Sequence, residues 1–319
     1  MPRTTPNPNR RTAPTSPKSP SKSAPEVVDP RWLLKALGLV LVVAVVCGYL
    51  TYCLIFYIGQ WQIVLHPTRT TSSQPPVVNA SAEFLRFAPD DSAAPQLTGW
   101  WIPATSGGKY AQTTLLYLPS GDGSLTSASA TLTALHSLGI NLFAIDYRGY
   151  GQSAPIHPSQ KNLTEDAESA WHYLRTTRNL PEQQIVPYGV GVGTSLAAHL
   201  AAAHPLMPAI ILESPQSDFI ATLGHDARSS LLPTSLLFHE NFPLAGPLTS
   251  LRTPKLLLSG SQPAAPFKTA ADPKMSVELN ALAGAGLPPE DVLPSITRFL
   301  DQYLLPSSAP QAIPTPVTK

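Results

Sequence analysis

Residues 185–204 read Ile185-Val-Pro-Tyr-Gly189-Val-Gly191-Val192-Gly193-Thr-Ser195-Leu-Ala-Ala-His199-Leu-Ala-Ala-Ala-His204. A short apolar run gives way to a tight glycine turn and then to an alanine-rich stretch. A run apolar on both faces suits a buried strand of a parallel sheet, and alanine favours helix. Strand, glycine corner and helix in succession have the frame Gly-x-Ser-x-Gly, which stands a serine on a strained turn above a sheet. The middle position here is Gly191. A glycine has no side chain with which to attack a carbonyl or hold a covalent intermediate.

Outward from this unit, strand-like and helix-like segments alternate. Residues 83–87 and 96–103 predict a pair of amphipathic, antiparallel strands. Thr113–Leu118, Asn141–Asp146, Ala209–Glu213 and Pro254–Ser259 are short apolar runs of the buried-strand kind. Between them, helices are predicted over Thr126–Leu138, Thr164–Arg178, Thr194–His204 and Pro294–Leu304. The second has Ala167, Ala170, Trp171 and Leu174 on one stripe, with Glu165, Asp166 and Glu168 near its start, where they favour the helix dipole. This alternation predicts an α/β class fold with a mostly parallel, doubly wound sheet. Residues 216–250 interrupt it and are expected to form a cap-like insertion over the C-terminal ends of the strands.

The chain of 319 residues has room for one large domain with appendages. Its net charge of +1 argues against a nucleic-acid partner. Residues 1–31 are rich in Pro, Ser, Thr and basic residues, with too little apolar surface to offset ordering entropy, so a disordered tail is expected there and again over 306–319. A transmembrane helix is predicted over 32–61, followed by a linker over 62–82 and the α/β domain over 83–305. Ala36 to Ile58 carry no charged residue and span roughly 34 Å at ~1.5 Å per residue, enough to cross a bilayer core. The apolar stretch and the tail before it are too long for a cleaved signal peptide, and no small-x-small site follows. Seven basic residues from Arg3 to Lys35 precede the helix, and Arg69 is the one that follows it closely. The positive-inside rule then leaves the N-terminus in the cytoplasm and the domain outside. Both cysteines, Cys47 and Cys53, lie in the helix, so the domain is expected to hold no disulfide.

Asp146-Tyr147-Arg148-Gly149-Tyr150-Gly151-Gln152-Ser153 resembles the Asp-Tyr-Arg-Gly-Tyr-Gly-x-Ser turn of membrane-anchored α/β-hydrolases, the branch related to protein depalmitoylases and serine aminopeptidase-like domains. Gln60-Trp-Gln-Ile-Val-Leu-His66-Pro67 is similar to that branch's segment just after the anchor, and the resemblance runs from about Gln60 to Leu304. It implies an α/β-hydrolase fold and a triad in chain order serine, acid, histidine. The serine position falls on Gly191. The acid position, in a Gly-x-x-Asp-like pattern after Ser259, falls on Pro263. The histidine position, in a turn before the last helix, falls on Leu287, and no histidine follows His239 in the sequence. The oxyanion loop, which usually begins His-Gly, reads Pro119-Ser120-Gly121-Asp122-Gly123. Each triad role is thus held by a residue unable to perform it.

Replacement residues are few. Ser195 lies one turn into the helix and reads as a first-turn helix serine rather than a nucleophile. Asp122, on the loop expected to face the pocket, has two readings, a cation or polar-ligand contact and a solvated turn aspartate. Glu213 ends a strand and is a shifted acid only if a serine and histidine exist to serve. His225 and His239, with Asp218, Asp226 and Glu240, lack a recognisable metal spacing. His136, His172, His199 and His204 read as helix-surface or packing residues, and Asp146 and Arg148 as structural. Gly189, Gly191 and Gly193, with Glu213 ending the next strand, imitate a dinucleotide fingerprint, but its third glycine would have to stand at Thr194.

The expectation is a membrane-tethered α/β-hydrolase-fold protein without triad catalysis, needing no metal or other cofactor, held in the membrane through 36–58 and binding a small molecule or protein of unknown identity. Ser120, Gly121, Asp122, Gly123, Gly191 and Val192 are expected to line its former pocket. The alternative is an active serine hydrolase with relocated residues, and a lesser one is a nucleotide-binding protein.

Overall fold

The computed structural model describes residues 29–71, 75, 77, 81–88, 94–220, 232–260, 264–279 and 288–304. Two compact units are present, Met1–Tyr52 and Cys53–Lys319. Helix α1, Pro30–Gly59, begins in the first and ends in the second. Its most apolar stretch has a mean hydropathy of 2.6, and the helix is long and apolar enough to cross a membrane.

The second unit is built on one eight-stranded sheet. Its strands are β1 Glu83–Phe87, β2 Leu97–Ile102, β3 Tyr110–Leu118, β4 Ile140–Asp146, β5 Ile185–Val190, β6 Ile210–Glu213, β7 Lys255–Ser259 and β8 Lys274–Glu278. Across the sheet they run β8, β7, β6, β5, β3, β4, β2, β1. The pairs β1–β2 and β2–β4 are antiparallel, and β3, β4 and β5 to β8 are parallel. The order reverses around β3, so the connections after β3 and β4 leave toward opposite faces, and the crevice at the strand ends opens there.

Helices cover both faces. On one, α3 (Gln160–Thr176) and α4 (Gly193–Ala203) pack Leu163, Ala170, Leu174, Leu196 and Leu200 against Leu116, Phe143 and Leu212. On the other, α2 (Ser129–His136) and α5 (Pro289–Tyr303) pack Leu132, Leu135, Ile296 and Phe299 against Leu115, Leu142 and Ile211. Such two-sided burial is why the central strands read as unbroken apolar runs.

Three differences from the sequence reading have physical causes. Helix α3 starts four residues earlier than expected, where Ser159 Oγ accepts the Asn162 N–H at 3.2 Å as an N-cap. Helix α5 starts at Pro289 and keeps Pro294 inside it, because Val292 already belongs to its buried stripe with Ile296, Phe299 and Leu300. The end of the expected transmembrane helix and the start of the expected linker, residues 60–71, are docked on the domain. Trp61–Val64 form one helical turn, and His66–Pro67 pair in parallel with Asp122–Gly123. The edge strand β8 was absent from the sequence reading. Of the other expectations, Pro263, Leu287, residues 1–28, residues 221–231 of the cap-like insertion with His225 and Asp226, and residues 305–319 lie outside the described residues.

Candidate functional site

Strand β5 ends at Val190, and the chain turns at Gly191 with φ of +59° before entering α4. That is the left-handed region an elbow needs. The corner is fixed from both sides. Gly191 N–H donates to the Glu213 carbonyl at 3.0 Å, and its own carbonyl accepts from Gln216 N–H at 3.1 Å and Thr194 Oγ1 at 2.6 Å. The elbow therefore survives as a backbone shape. Its tip is buried. A Cβ at position 191 would stand 2.9 Å from Ser120 Cβ and 3.3 Å from Gln216 Oε1. The volume above the corner, where an attacking side chain belongs, is taken by Ser120.

The six residues expected to line a pocket thus divide. Ser120, Asp122 and Gly123 are accessible. Gly191, Gly121 and Val192 are buried. Val192 belongs to the core beside Leu65 and Leu196, and a Cβ on Gly121 would lie 2.8 Å from Leu65 Cδ2. The cause is the strap 60–71, which lies along the loop. His66 N–H donates to Gly121 O at 2.7 Å and Thr68 N–H to Gly123 O at 3.1 Å. His66 Nδ1 sits 2.7 Å from Asp122 Oδ1, with both side chains about half exposed. Asp122 is therefore paired to an imidazole, an arrangement that neither of its sequence readings contained. The strap continues to the 146–153 turn, where Arg69 donates to the carbonyls of Tyr150 and Ser153 and Thr70 N–H donates to Gly151 O at 3.2 Å.

The remaining candidates are committed elsewhere. Ser195 Oγ donates to Pro243 O at 2.8 Å, pinning the insertion to α4. The Glu213 carboxylate accepts from Tyr188 Oη beneath α2 and α5, and burial raises its pKa. That deprives both the shifted-acid and the dinucleotide readings of their carboxylate. Asp218 accepts from Leu244 and Ala245 N–H at 3.4 and 3.2 Å, Glu240 accepts from Gln160 N–H, and His239 Nδ1 lies 3.3 Å from Gln60 Nε2. Among the described residues, no three His, Cys, Asp or Glu side chains gather as metal ligands would. His136 bonds to Pro103 O at 2.9 Å, and His204 stacks on Trp171 with centroids 3.6 Å apart.

Asp146 and Arg148 organise the turn. Asp146 Oδ1 accepts from Leu125 N–H at 2.9 Å, and Ser153 Oγ donates to Asp146 O at 2.6 Å. Burial raises the Asp146 pKa from 3.8 to about 6, and the Leu125 N–H and Arg69 only partly oppose it. The folded state therefore binds this proton more tightly than the unfolded chain does. Its contribution to stability is fully present below about pH 4 and is lost as pH rises through about 6. Asp146→Asn keeps an oxygen for Leu125 and removes the titration. Urea midpoints at pH 4 and 7 are expected to show wild type losing on the order of 2–3 kcal/mol more than the variant over that interval. An equal change in both proteins would contradict the assignment.

Comparisons with known proteins agree with this geometry. The family profile described as serine aminopeptidase, S33, matches residues 122–277. An uncharacterised protein of Mycobacterium tuberculosis is 32% identical over 165 residues, covering 52% of this chain and 57% of that protein. Alpha/beta hydrolase domain-containing protein 17C of Xenopus tropicalis is 33% identical over 122 residues, 38% of this chain and 37% of the relative. Protein 17B of Homo sapiens is 29% identical over 153 residues, 48% and 50%. The matched part thus spans between about a third and three-fifths of the length of these relatives. Among solved structures, the Pyrococcus furiosus esterase Pf2001 superposes with a TM-score of 0.56 at 17% identity, covering 75% of this chain and 98% of the other. An alpha-beta hydrolase from Vibrio vulnificus gives 0.52 at 21%, covering 70% and 80%. Sheet order, elbow and relatives converge: this chain belongs to the α/β-hydrolase superfamily, and over residues 122–277 it is similar to the serine aminopeptidase, S33, family.

Proposed function

We propose that this protein is a membrane-tethered α/β-hydrolase-fold protein that has lost triad catalysis and acts by binding a small molecule or a protein. One observation carries the proposal: the elbow corner is a buried glycine, Gly191, with Ser120 Cβ 2.9 Å from the place of the missing Cβ. The corner itself offers a substrate carbonyl no attacking oxygen, and the space a side chain at 191 would enter is taken by Ser120. The sequence adds that no histidine follows His239, so the usual base is missing as well. The tether is α1, and the basic residues before it put the N-terminus in the cytoplasm and the domain outside. Protease protection of the domain in sealed vesicles checks that orientation.

A fluorophosphonate probe offered to the purified full chain is expected to leave it unlabelled. Gly191→Ser alone is expected to remain inert toward p-nitrophenyl esters. So is Gly191→Ser combined with Ser120→Gly, which clears the space but supplies no base. Ester turnover by the double variant would mean that a working base and acid are present, and would overturn the proposal.

A second reading, a working serine hydrolase with relocated residues, is favoured by one arrangement. His66 and Asp122 are paired at 2.7 Å, and Ser120 is on the same loop. Ser120 Oγ donates to Asp122 O at 3.3 Å, not to the imidazole, and this supports the inert reading. Probe labelling abolished by Ser120→Ala and retained by Ser195→Ala would establish this second reading in its place.

A further inference from the structure

The end of α1 does not hand over to a free linker. Phe56 meets Phe238 with ring centroids 6.3 Å apart, and Tyr57 meets His239 edge-on at 4.8 Å. Gln60 closes the junction, its Nε2 donating to Leu237 O at 3.1 Å and its Oε1 accepting from His239 N–H at 2.5 Å. On another side Trp61 packs on His157 at 5.4 Å. Three segments, 57–63, 156–159 and 234–240, therefore meet where the membrane-spanning helix ends. They enclose an open cleft of about 520 Å³ whose lining includes Tyr57, Trp61, His157 and Glu240.

The surface around this cleft has an unusual composition. Among the described residues beyond α1, four large hydrophobic side chains are strongly exposed: Ile63, Ile156, Leu206 and Leu236. Three of the four are on these segments, and Leu236 is 75% exposed. Residues 53–68, 154–160 and 232–239 contain no Asp, Glu, Lys or Arg, and Glu240 is buried and bonded to Gln160. Isolated exposed hydrophobics need no explanation, but a cluster free of charge marks a contact surface. Aromatic residues with polar tips, here Tyr57 and Trp61, suit the headgroup level of a bilayer.

The geometry points to a membrane-docking face. The domain rests this surface on the bilayer, with Ile63, Ile156 and Leu236 entering the interfacial layer as a second contact besides the anchor. The occupant is lipid, because the patch is continuous with the end of the helix that is read as spanning the membrane, and the inference rests on that reading. A charge-free apolar rim can enter the headgroup and acyl boundary without desolvating an ion. The 60–71 strap links this face to the loop over Gly191, so the former pocket is held at a set distance from the lipid surface.

Spin labels in phospholipid nanodiscs test this with the full chain. In a Cys47→Ser/Cys53→Ser background, Ile63→Cys, Ile156→Cys and Leu236→Cys are labelled singly, with Leu206→Cys as the aqueous reference. Collision with oxygen, which concentrates in lipid, is compared with collision with a water-soluble nickel chelate. The expected result is oxygen-favoured relaxation at 63, 156 and 236 and nickel-favoured relaxation at 206. A label on native Cys47, in the Cys53→Ser protein, reports the spanning helix separately. Lipid exposure at Cys47 with nickel-favoured labels at the three rim positions overturns the docking face alone. Nickel-favoured relaxation at Cys47 overturns the spanning helix and the docking with it. Rim labels shielded from both reagents would mean that protein covers the patch, which also overturns the inference.

Discussion

Asp166→Ala is expected to lower the unfolding free energy by about 3–5 kcal/mol, measured by chemical denaturation of the detergent-solubilised protein. Asp166 has no exposed surface, and three atoms of the 146–153 turn and α3 depend on it or on its partner. Its Oδ2 accepts from Arg148 N–H at 2.8 Å and its Oδ1 from Arg148 Nε at 2.5 Å, while Arg148 Nη2 donates to Asn162 O at 3.0 Å. Removing the carboxylate leaves the Arg148 backbone N–H and Nε without their acceptor, at a side chain only 10% exposed, while Nη2 keeps Asn162 O and Glu165. Stranding buried donors beside a charge costs more than the pair itself contributes. The same guanidinium supplies the control. Arg148 Nη2 also donates to Glu165 Oε2 at 2.9 Å, but Glu165 is 46% exposed. Glu165→Ala is expected to cost less than about 1 kcal/mol, since water replaces the lost partner. Equal costs for the two variants would show that burial does not set the strength of this network. The consequence reaches the site. The turn held by Arg148 is where Arg69 and Thr70 fasten the strap, and α3 also receives the insertion, with Phe242 N–H donating to Gln160 Oε1 at 2.7 Å. Loosening Asp166 therefore loosens the cover over Gly191 and the proposed lipid-facing surface together.

The parts of this architecture that the sequence disclosed are those whose signal is local. The apolar runs of β3 to β7 are buried on both faces and need no partner to be read, and the amphipathic stripe of α3 repeats at helical spacing. The turn from Asp146 to Ser153 is a contiguous string. The strand, the left-handed corner at Gly191 and the helix after it were legible in the glycine spacing. What stayed hidden depends on contacts between distant segments. Strand β8, Lys274–Glu278, lies at the sheet edge with a half-exposed, mixed pattern, so its five residues carry little periodic signal. The strap looked like a linker because His66 finds its partner Asp122 56 positions away, and Gln60 is fastened to His239 across 179. Neither distance leaves a trace in composition. The burial of Gly191 is a similar case. Ser120 is an ordinary loop serine until the β3 and β5 ends are brought side by side, and only then does it occupy the space a side chain at 191 would enter.

The glycine with the larger mechanical role is Gly193, and Gly193→Ala is expected to destabilise the fold by more than about 3 kcal/mol. Propensity argues the other way, because alanine in a helix is favoured over glycine by about 1 kcal/mol. Position 193 opens α4, where that gain would apply. Sterics decide against it. A Cβ there would lie 2.2 Å from Leu118 O and 2.9 Å from Pro119 O, both backbone atoms at the end of β3. Neither can rotate away as a side chain would. Leu118 is paired in register with Gly189 on β5, so moving it disturbs the centre of the sheet. Gly189 faces the mirror problem, with a Cβ 2.2 Å from Gly193 O. Strand β5 and helix α4 thus approach as closely as backbones allow, and this contact, not ligand binding, accounts for two of the three glycines in the fingerprint-like run. Gly246, in the short helix Ala245–Ser250, is the reference, since nothing lies within 4 Å of its Cβ position. Gly246→Ala is expected to be neutral or to stabilise by up to about 1 kcal/mol. Melting temperatures of the two variants, taken in one detergent, separate the effects. A Gly193→Ala protein as stable as wild type would mean that β3 and α4 can part without cost. The elbow would then be a soft corner, and the Cβ position of Gly191 would no longer be held against Ser120.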